Sequence, residues 1–228
     1  MDSIIDILKR VSKASVSVKN STKEIRQKTL LSLAELLRQN TEKIIAANQL
    51  DLDKMDDSNP KKDRLLLNES RINDLANSLH DVVKLEIPTG KILSSVTMHN
   101  NLNIQKVTVP IGVVGVIYEA RPNVTIDVAA LCLFAGNAVV LRGGSDAEHT
   151  NEILVSIIHE ALLKNELDED VVQLLPVDRK YVKELLEAVK YVDIIIPRGS
   201  QQLIDFVREH SKVPTIETGA GVCHTYIE

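Results

Sequence analysis

Three short stretches of this chain set reactive or charged side chains beside backbone turns. Arg142-Gly143-Gly144-Ser145 and Pro197-Arg198-Gly199-Ser200 each place an arginine next to glycine directly after an apolar run. A glycine turn that opens a helix presents free N–H groups, and with an adjacent cation it can hold a phosphate. Neither turn is the GxGxxG fingerprint, and Gly112, Gly115 and Arg121 do not supply it either, because Gly112 and Gly115 lie before or within an apolar run. Taken alone, a glycine at a strand-to-helix turn is more often only a turn. Glu119-Ala120-Arg121-Pro122-Asn123 follows another apolar run, and Arg121 there could attract an acidic ligand or simply be solvated. Glu217, before Thr218-Gly219, is a carboxylate that could cap a glycine turn. Cys223-His224 suggests a nucleophile and its base, but adjacent residues on a strand point to opposite faces, so His224 is badly placed to activate Cys223. Cys132 sits in an apolar helical stretch and reads as core. The six histidines are scattered, without metal-ligand spacing.

The elements that must position these groups follow from periodicity. VVGVIY (113–118) is continuously apolar, as a strand buried on both faces requires. Pro122 suits the first turn of a helix, predicted over 124–135 with Val124, Val128, Leu131, Cys132 and Ala135 on its inner face. Gly136 fits a left-handed cap, and 138–141 is a second buried strand. This β-α-β unit leads into a helix from a capping box at Ser145-Asp146-Ala147-Glu148 to about Lys164. Strands at 171–175 and 192–196 alternate with helices at 179–189 and after Ser200, and short extended segments are expected at 214–217 and 223–227. The alternation predicts an α/β fold with a doubly wound parallel sheet. Ahead of it, helical spacing marks a first helix around 4–11 and a second from Ser21 to about Ala47, the two expected to form a hairpin. A polar loop over 51–62 and a long helix around 72–83 follow. Two strands around Asn100-Asn101 should form a β-hairpin outside the core.

Composition narrows the function. The chain has 228 residues, 44% hydrophobic, with a net charge of -5 and no tryptophan. An acidic chain poor in aromatics argues against a nucleic-acid binder. No apolar run approaches a membrane span, and the N-terminus lacks a signal peptide's order. Two cysteines are no disulfide scaffold, so a reducing cytoplasm is the expected setting.

Four blocks then carry a resemblance: Gly115-Val116-Ile117-Tyr118-Glu119-Ala120-Arg121-Pro122-Asn123-Val124, Gly136-Asn137-Ala138-Val139-Val140-Leu141-Arg142-Gly143-Gly144, Ile196-Pro197-Arg198-Gly199-Ser200, and Glu217-Thr218-Gly219-Ala220-Gly221-Val222-Cys223-His224. In this order the chain resembles the N-terminal half of the γ-glutamyl phosphate reductases (glutamate-5-semialdehyde dehydrogenases) of proline biosynthesis, in the aldehyde dehydrogenase superfamily. The resemblance implies N-terminal helices over 1–90 packed on the cofactor domain, an oligomerisation-type hairpin over 91–109, and a dinucleotide-binding domain over 110–228.

It also implies a reaction, in which NADPH reduces L-glutamate 5-phosphate to the semialdehyde after a cysteine thiolate displaces phosphate as a thioester. Glu119, Ala120, Arg121, Arg142, Gly143, Gly144, Ser145, Pro197, Arg198, Gly199 and Ser200 would face the cofactor. Arg142 stands where the superfamily usually has a ribose-contacting lysine, which suits a 2′-phosphate. Asn123 would be an oxyanion donor, although Glu119-Ala120-Arg121-Pro122 departs from the usual Trp-Asn-Phe-Pro. Glu217 aligns with the superfamily's general base, which a reductase does not need for thioester hydrolysis. The family's nucleophile would lie beyond Glu228, and Cys223 matches a different position. The chain is therefore expected to be a fragment that binds NADPH without turnover, and to form a homodimer in the complete enzyme. Two rival readings stay open: a non-catalytic nucleotide-binding scaffold, and an oxidising aldehyde dehydrogenase.

Overall fold

The computed structural model describes residues 4–56, 58–59, 62–119, 121–217 and 226. At its centre is β3 (Val113–Tyr118), buried at every residue. It pairs in parallel with β4 (Ala138–Arg142) on one side and β6 (Ile194–Arg198) on the other, and β5 (Val172–Leu174) extends the sheet beyond β4. The order β5-β4-β3-β6 makes β3 the switch point: the chain winds outward to β5, then crosses back to β6. In an open parallel sheet that reversal opens a crevice at the carboxyl ends. Thr215 adds a bridge to Ile195, so the extended segment expected at 214–217 borders β6; the one expected at 223–227 falls almost wholly outside the described residues.

Helix α6 (Pro122–Phe134) joins β3 to β4, and α7 (Glu148–Lys164) joins β4 to β5. Right-handed crossovers put both on one face, and α8 (Arg179–Leu186) and α9 (Gln201–His210) on the other. The inner face expected for α6 is partly met: Val124 is buried, and Val128 and Cys132 pack against the core. Ile126, Ala129, Ala130 and Leu133 are buried, while Leu131 is half exposed. A helix apolar almost all round has no periodic signal to separate its faces.

The N-terminal helices clothe both faces. Helix α1 (Ile4–Asn20) packs against β3, β4, β5 and α8, whereas α2 (Lys23–Gln39) packs against α5 (Glu69–Lys84), α6 and α7. The expected α1–α2 hairpin does not form, because each helix finds its apolar partner on a different side of the sheet. Buried Arg26 ties the corner between them. It donates to the Ser21 hydroxyl at 3.1 Å and to the carbonyls of Ser21, Lys19 and Phe134 at 2.9, 3.3 and 3.5 Å. Gly136 (φ +77°) ends α6 in the left-handed region, and a Cβ there would meet Arg26 Nη1 at 2.6 Å.

The long second helix is in fact two. Asn40 turns its side chain back onto the Leu36 carbonyl (2.9 Å), and α3 (Thr41–Leu52) starts after it. An Asn side chain that bonds its own backbone competes with helix continuation. Within the segment expected to be a loop, α3 reaches Leu52, and a four-residue helix α4 (Lys62–Leu65) follows. Between α5 and β3, β1 (Ile92–Thr97) and β2 (Asn103–Val107) form an antiparallel hairpin, turned through Asn101 at φ +64° and exposed at every strand residue.

Candidate functional site: an arginine-lined crevice

Register brings the three glycine-bearing or arginine-bearing turns together. Ile117 lies opposite Arg142, and Tyr118 lies opposite Arg198, so the exits of β4, β3 and β6 stand side by side. Beneath the β4 exit, Tyr118 Oη meets Thr125 Oγ1 at 2.6 Å and Thr125 Oγ1 donates to Asn151 Oδ1 at 2.7 Å, all buried. Burial pushes the Tyr118 phenol up to about 12, so it serves as a neutral hydrogen-bonding group. Gly143 lies against this network, and a Cβ there would come within 2.3 Å of Asn151 Nδ2.

The helix beyond Gly144 begins differently from expectation. Ser145–Ala147 form a single 3₁₀ turn and Ser145 makes no side-chain cap. Helix α7 is capped instead by Asp51 of α3, whose carboxylate accepts from Thr150 N (2.8 Å), Thr150 Oγ1 (2.7 Å) and His149 N (3.3 Å). Asp51 is 1% exposed. The N–H groups that could have held a ligand's phosphate at this turn already hold a carboxylate of the protein.

Arg142 donates to the Val177 carbonyl at 2.6 Å, and its buried Nε has no partner. Burial, and secondarily neighbouring Arg179, depress its pKa, while Asp178 opposes them. At the β6 exit, Ser200 N donates to Glu119 Oε1 at 3.0 Å, so Glu119 caps α9 from across the sheet. Pro197 is buried within the strand, and Arg198 and Gly199 are exposed. Ala120 and Cys223 lie outside the described residues. Asn123 donates to Asp127 Oδ2 at 3.3 Å. Glu217 faces Arg208 of α9 at 3.7 Å and lines none of the clefts described below.

Three neighbouring clefts open around the exits of β4, β3 and β6. One of about 270 Å³ includes Arg142, Gly144, Ser145, Val177 and Arg179. A smaller one, about 150 Å³, includes Tyr118, Glu119, Arg198 and Gly199. The third, about 420 Å³, lies between α4–α5 and the start of α6. Arg64 and Arg121 line all three. Sequence reasoning missed Arg64 and Arg179: the first lay next to a stretch expected to be a loop, the second inside a helix. Among the described residues, the side chains of Arg64, Arg121, Arg179 and Arg198 make no hydrogen bond or salt bridge. A crevice with four uncommitted guanidiniums is built to bind anions, and arginine's planar fork suits phosphate and carboxylate.

Cys132, on α6, lines none of the three clefts, and burial pushes its thiol up to about 12, far from a reactive thiolate. The described residues hold no cluster of three metal-ligating side chains and no helix long and apolar enough to cross a membrane.

A sequence profile described as the aldehyde dehydrogenase family matches residues 2–220. A γ-glutamyl phosphate reductase of Parabacteroides distasonis is 51% identical over 223 residues, 98% of this chain and 54% of that protein. One from Chlorobium phaeobacteroides is 53% identical over 199 residues, 87% of this chain and 48% of its own length. The crystal structure of γ-glutamyl phosphate reductase from Thermotoga maritima superposes with a TM-score of 0.93 at 38% identity, covering 96% of this chain and 54% of that one. The chain thus spans about half the length of the curated relatives it matches.

Proposed function

The chain belongs to the aldehyde dehydrogenase family, and we propose that it supplies the cofactor-binding part of an NADPH-dependent reductase converting L-glutamate 5-phosphate to L-glutamate 5-semialdehyde. The observation that carries this is the convergence of uncommitted arginines on the carboxyl ends of three parallel strands, in a chain about half of whose residues match γ-glutamyl phosphate reductases. Bound NADPH would supply the hydride. The residues present fit its phosphates: Arg142 and Arg179 face one cleft, and Arg142 has an unpartnered buried Nε that an anion could satisfy. Gly144 and Ser145 border that cleft, while Gly199 borders the next. Arg198 adds a cation there. In this reading Asn123 orients Asp127 and Glu217 takes no part. The absence of a reactive cysteine among the clefts' described residues favours a chain that binds nucleotide without turning over alone.

The exposed hairpin presents Ile92, Leu93, Val96 and Ile104, each more than half exposed. It fits self-association into a homodimer, since patches of this kind mark protein contacts. A cytoplasmic setting suits the chemistry.

The test is a fluorescence titration with NADPH and NADH. NADPH should bind more tightly, and Arg142→Ala or Arg179→Ala should each remove about tenfold of that preference, the worth of one charge-assisted bond. Equal affinity for the two nucleotides would overturn the cofactor assignment. A parallel assay with NADP, phosphate and glutamate semialdehyde should show no NADPH formed by this chain alone.

A further inference from the structure

Arg64 and the turn from Arg142 to Ser145 line one cleft, yet they come from distant parts of the chain. Arg64 sits on α4, a helix of a single turn, too short to hold itself in water. Its place is set by the bonds its neighbours make. From the surface side, Arg71 of α5 reaches the Asp63 carboxylate (2.7 Å), the Asp63 carbonyl and the Leu66 carbonyl (2.9 Å). That ion pair is exposed, and exposed pairs contribute little and weaken in salt. From the inner side comes Asn48 of α3, which is 1% exposed. Its amide nitrogen donates to the Leu65 carbonyl at 2.9 Å, and its oxygen accepts from Leu67 N at 2.8 Å. The two bonds clamp the backbone directly after Arg64, as a neighbouring strand would.

Asn48 also serves the other wall. Its second N–H donates to Thr150 Oγ1 at 3.2 Å, and that hydroxyl donates to Asp51 Oδ2 at 2.7 Å. Asp51 caps the first turn of α7, just behind Gly144 and Ser145. Both donors and the acceptor of the Asn48 side chain are used, and the Thr150 hydroxyl gives one bond and takes one. Leu65 of α4, Leu52 of α3 and Ala147 of the turn form a small apolar cluster of their own around this chain of bonds. Asparagine is a poor choice inside a helix, and burying it is costly unless every bond is made. A fully satisfied buried network fixes one arrangement of the parts it joins. The parts joined here are the two walls of the cleft.

We propose that Asn48 is a positioning residue of the nucleotide cleft. Through Leu65 and Leu67 it sets Arg64, and through Thr150 and Asp51 it ties that arginine to the Arg142–Ser145 turn, so that the cations on both walls keep one spacing for the phosphates. The proposal rests on the cofactor reading and adds to it a residue that touches no ligand, together with Arg64 as the cation it serves.

The test is a double-mutant cycle read by NADPH titration, with urea unfolding on the same samples. Arg64→Ala should weaken NADPH about tenfold, the worth of one charge-assisted bond, and Asn48→Ala about fivefold. If Asn48 acts through Arg64, the double variant should bind within about twofold of Arg64→Ala alone. Losses that multiply in the double variant overturn the proposal. So does an Asn48→Ala chain that unfolds more easily in urea while its NADPH affinity stays within about twofold of the wild type. Should Asn48→Ala fail to fold, Thr150→Val carries the test, since it deletes only the hydroxyl between Asn48 and Asp51. It should weaken NADPH about threefold, and Thr150→Ser should restore the wild-type affinity. Thr150→Val binding like the wild type counts against the proposal. Inorganic pyrophosphate, titrated into the same variants, separates the two levels. Pyrophosphate binding without NADPH binding removes the cofactor reading and leaves the cycle to be read on pyrophosphate, whereas binding of neither removes both.

Discussion

The two arginine-glycine turns look alike in sequence and differ in what the fold does with them. At Arg142-Gly143-Gly144 the helix N-terminus is capped by Asp51, the glycine lies against the Tyr118–Thr125–Asn151 network, and Arg142 is tied to Val177. At Arg198-Gly199-Ser200 the cap is an exposed glutamate, the glycine is exposed, and the Arg198 side chain makes no hydrogen bond or ion pair among the described residues. The first turn is part of the core's polar scaffold, with only its arginine edge facing the cleft. The second is capped at the surface by Glu119 and lies exposed. A glycine after a parallel strand therefore says where a crevice is, and the neighbours decide whether its donors are available.

The largest effect should come from removing the cap of the first turn. Asp51→Ala leaves two backbone amides and the Thr150 hydroxyl without their acceptor inside a packed interface between α3 and α7. An unsatisfied buried donor costs about 1–3 kcal/mol, so a loss of about 3 kcal/mol is expected in urea unfolding, with Asp51→Asn losing less. A change under about 0.5 kcal/mol would show that the two turns are equally superficial.

The glycines test the same contrast. Neither Gly143 nor Gly199 has positive φ, so alanine is tolerated by the backbone at both. At position 143 the new Cβ meets Asn151 Nδ2 at 2.3 Å and Tyr118 Oη at 3.1 Å, and both side chains are locked by hydrogen bonds. Overpacking of that kind costs about 1–3 kcal/mol. At position 199 it meets the exposed Glu119 side chain at 2.8 Å, which can swing away. Gly199→Ala should cost about 0.5 kcal/mol or less. Thermal melts of the two variants give the ordering directly, and a reversed order breaks the comparison.

Much of this was legible in the sequence, and the boundary has a physical cause. The β3-α6-β4 unit is local: apolar runs, Pro122 at the helix start and Gly136 at its end each act over a few residues. The Glu119, Arg142 and Arg198 turns could be found because parallel strands bring their carboxyl ends together whatever lies between. What stayed hidden was set by contacts between distant segments. Ser145 reads as a cap until Asp51, nearly a hundred residues earlier in the chain, occupies the site. Arg64 carries no motif and becomes part of the crevice only through the bonds that Asn48 and Arg71 make around it. The inner face of α6 could be read only in part, because a helix covered on two sides has no polar stripe.

Glu119 offers a binding test of the second turn. Its carboxylate lies where anions are expected, and it competes with them for Ser200 N–H. Glu119→Gln should lower stability by about 0.5 kcal/mol, a surface cap's worth, and tighten NADPH about two- to fivefold at low salt, with the gain shrinking as ionic strength rises. Weaker binding would mean that Glu119 is itself a ligand contact.

The smallest effect concerns Asp127, which shares α6 with Thr125 but faces the open side near Arg198. Burial raises its pKa in the folded chain, so the protonated form is favoured there. The stability it contributes is complete below the unfolded carboxylate value of about 3.9 and is lost as pH rises through the higher folded value. Asp127→Asn carries no such charge. The variant should match the wild type in acid and become the more stable of the two towards neutrality, by about 0.5 kcal/mol at most because the group is only half buried. Parallel urea titrations across that range read the difference. A gap that opened in acid instead would mean that the carboxylate is stabilised by the arginines around it.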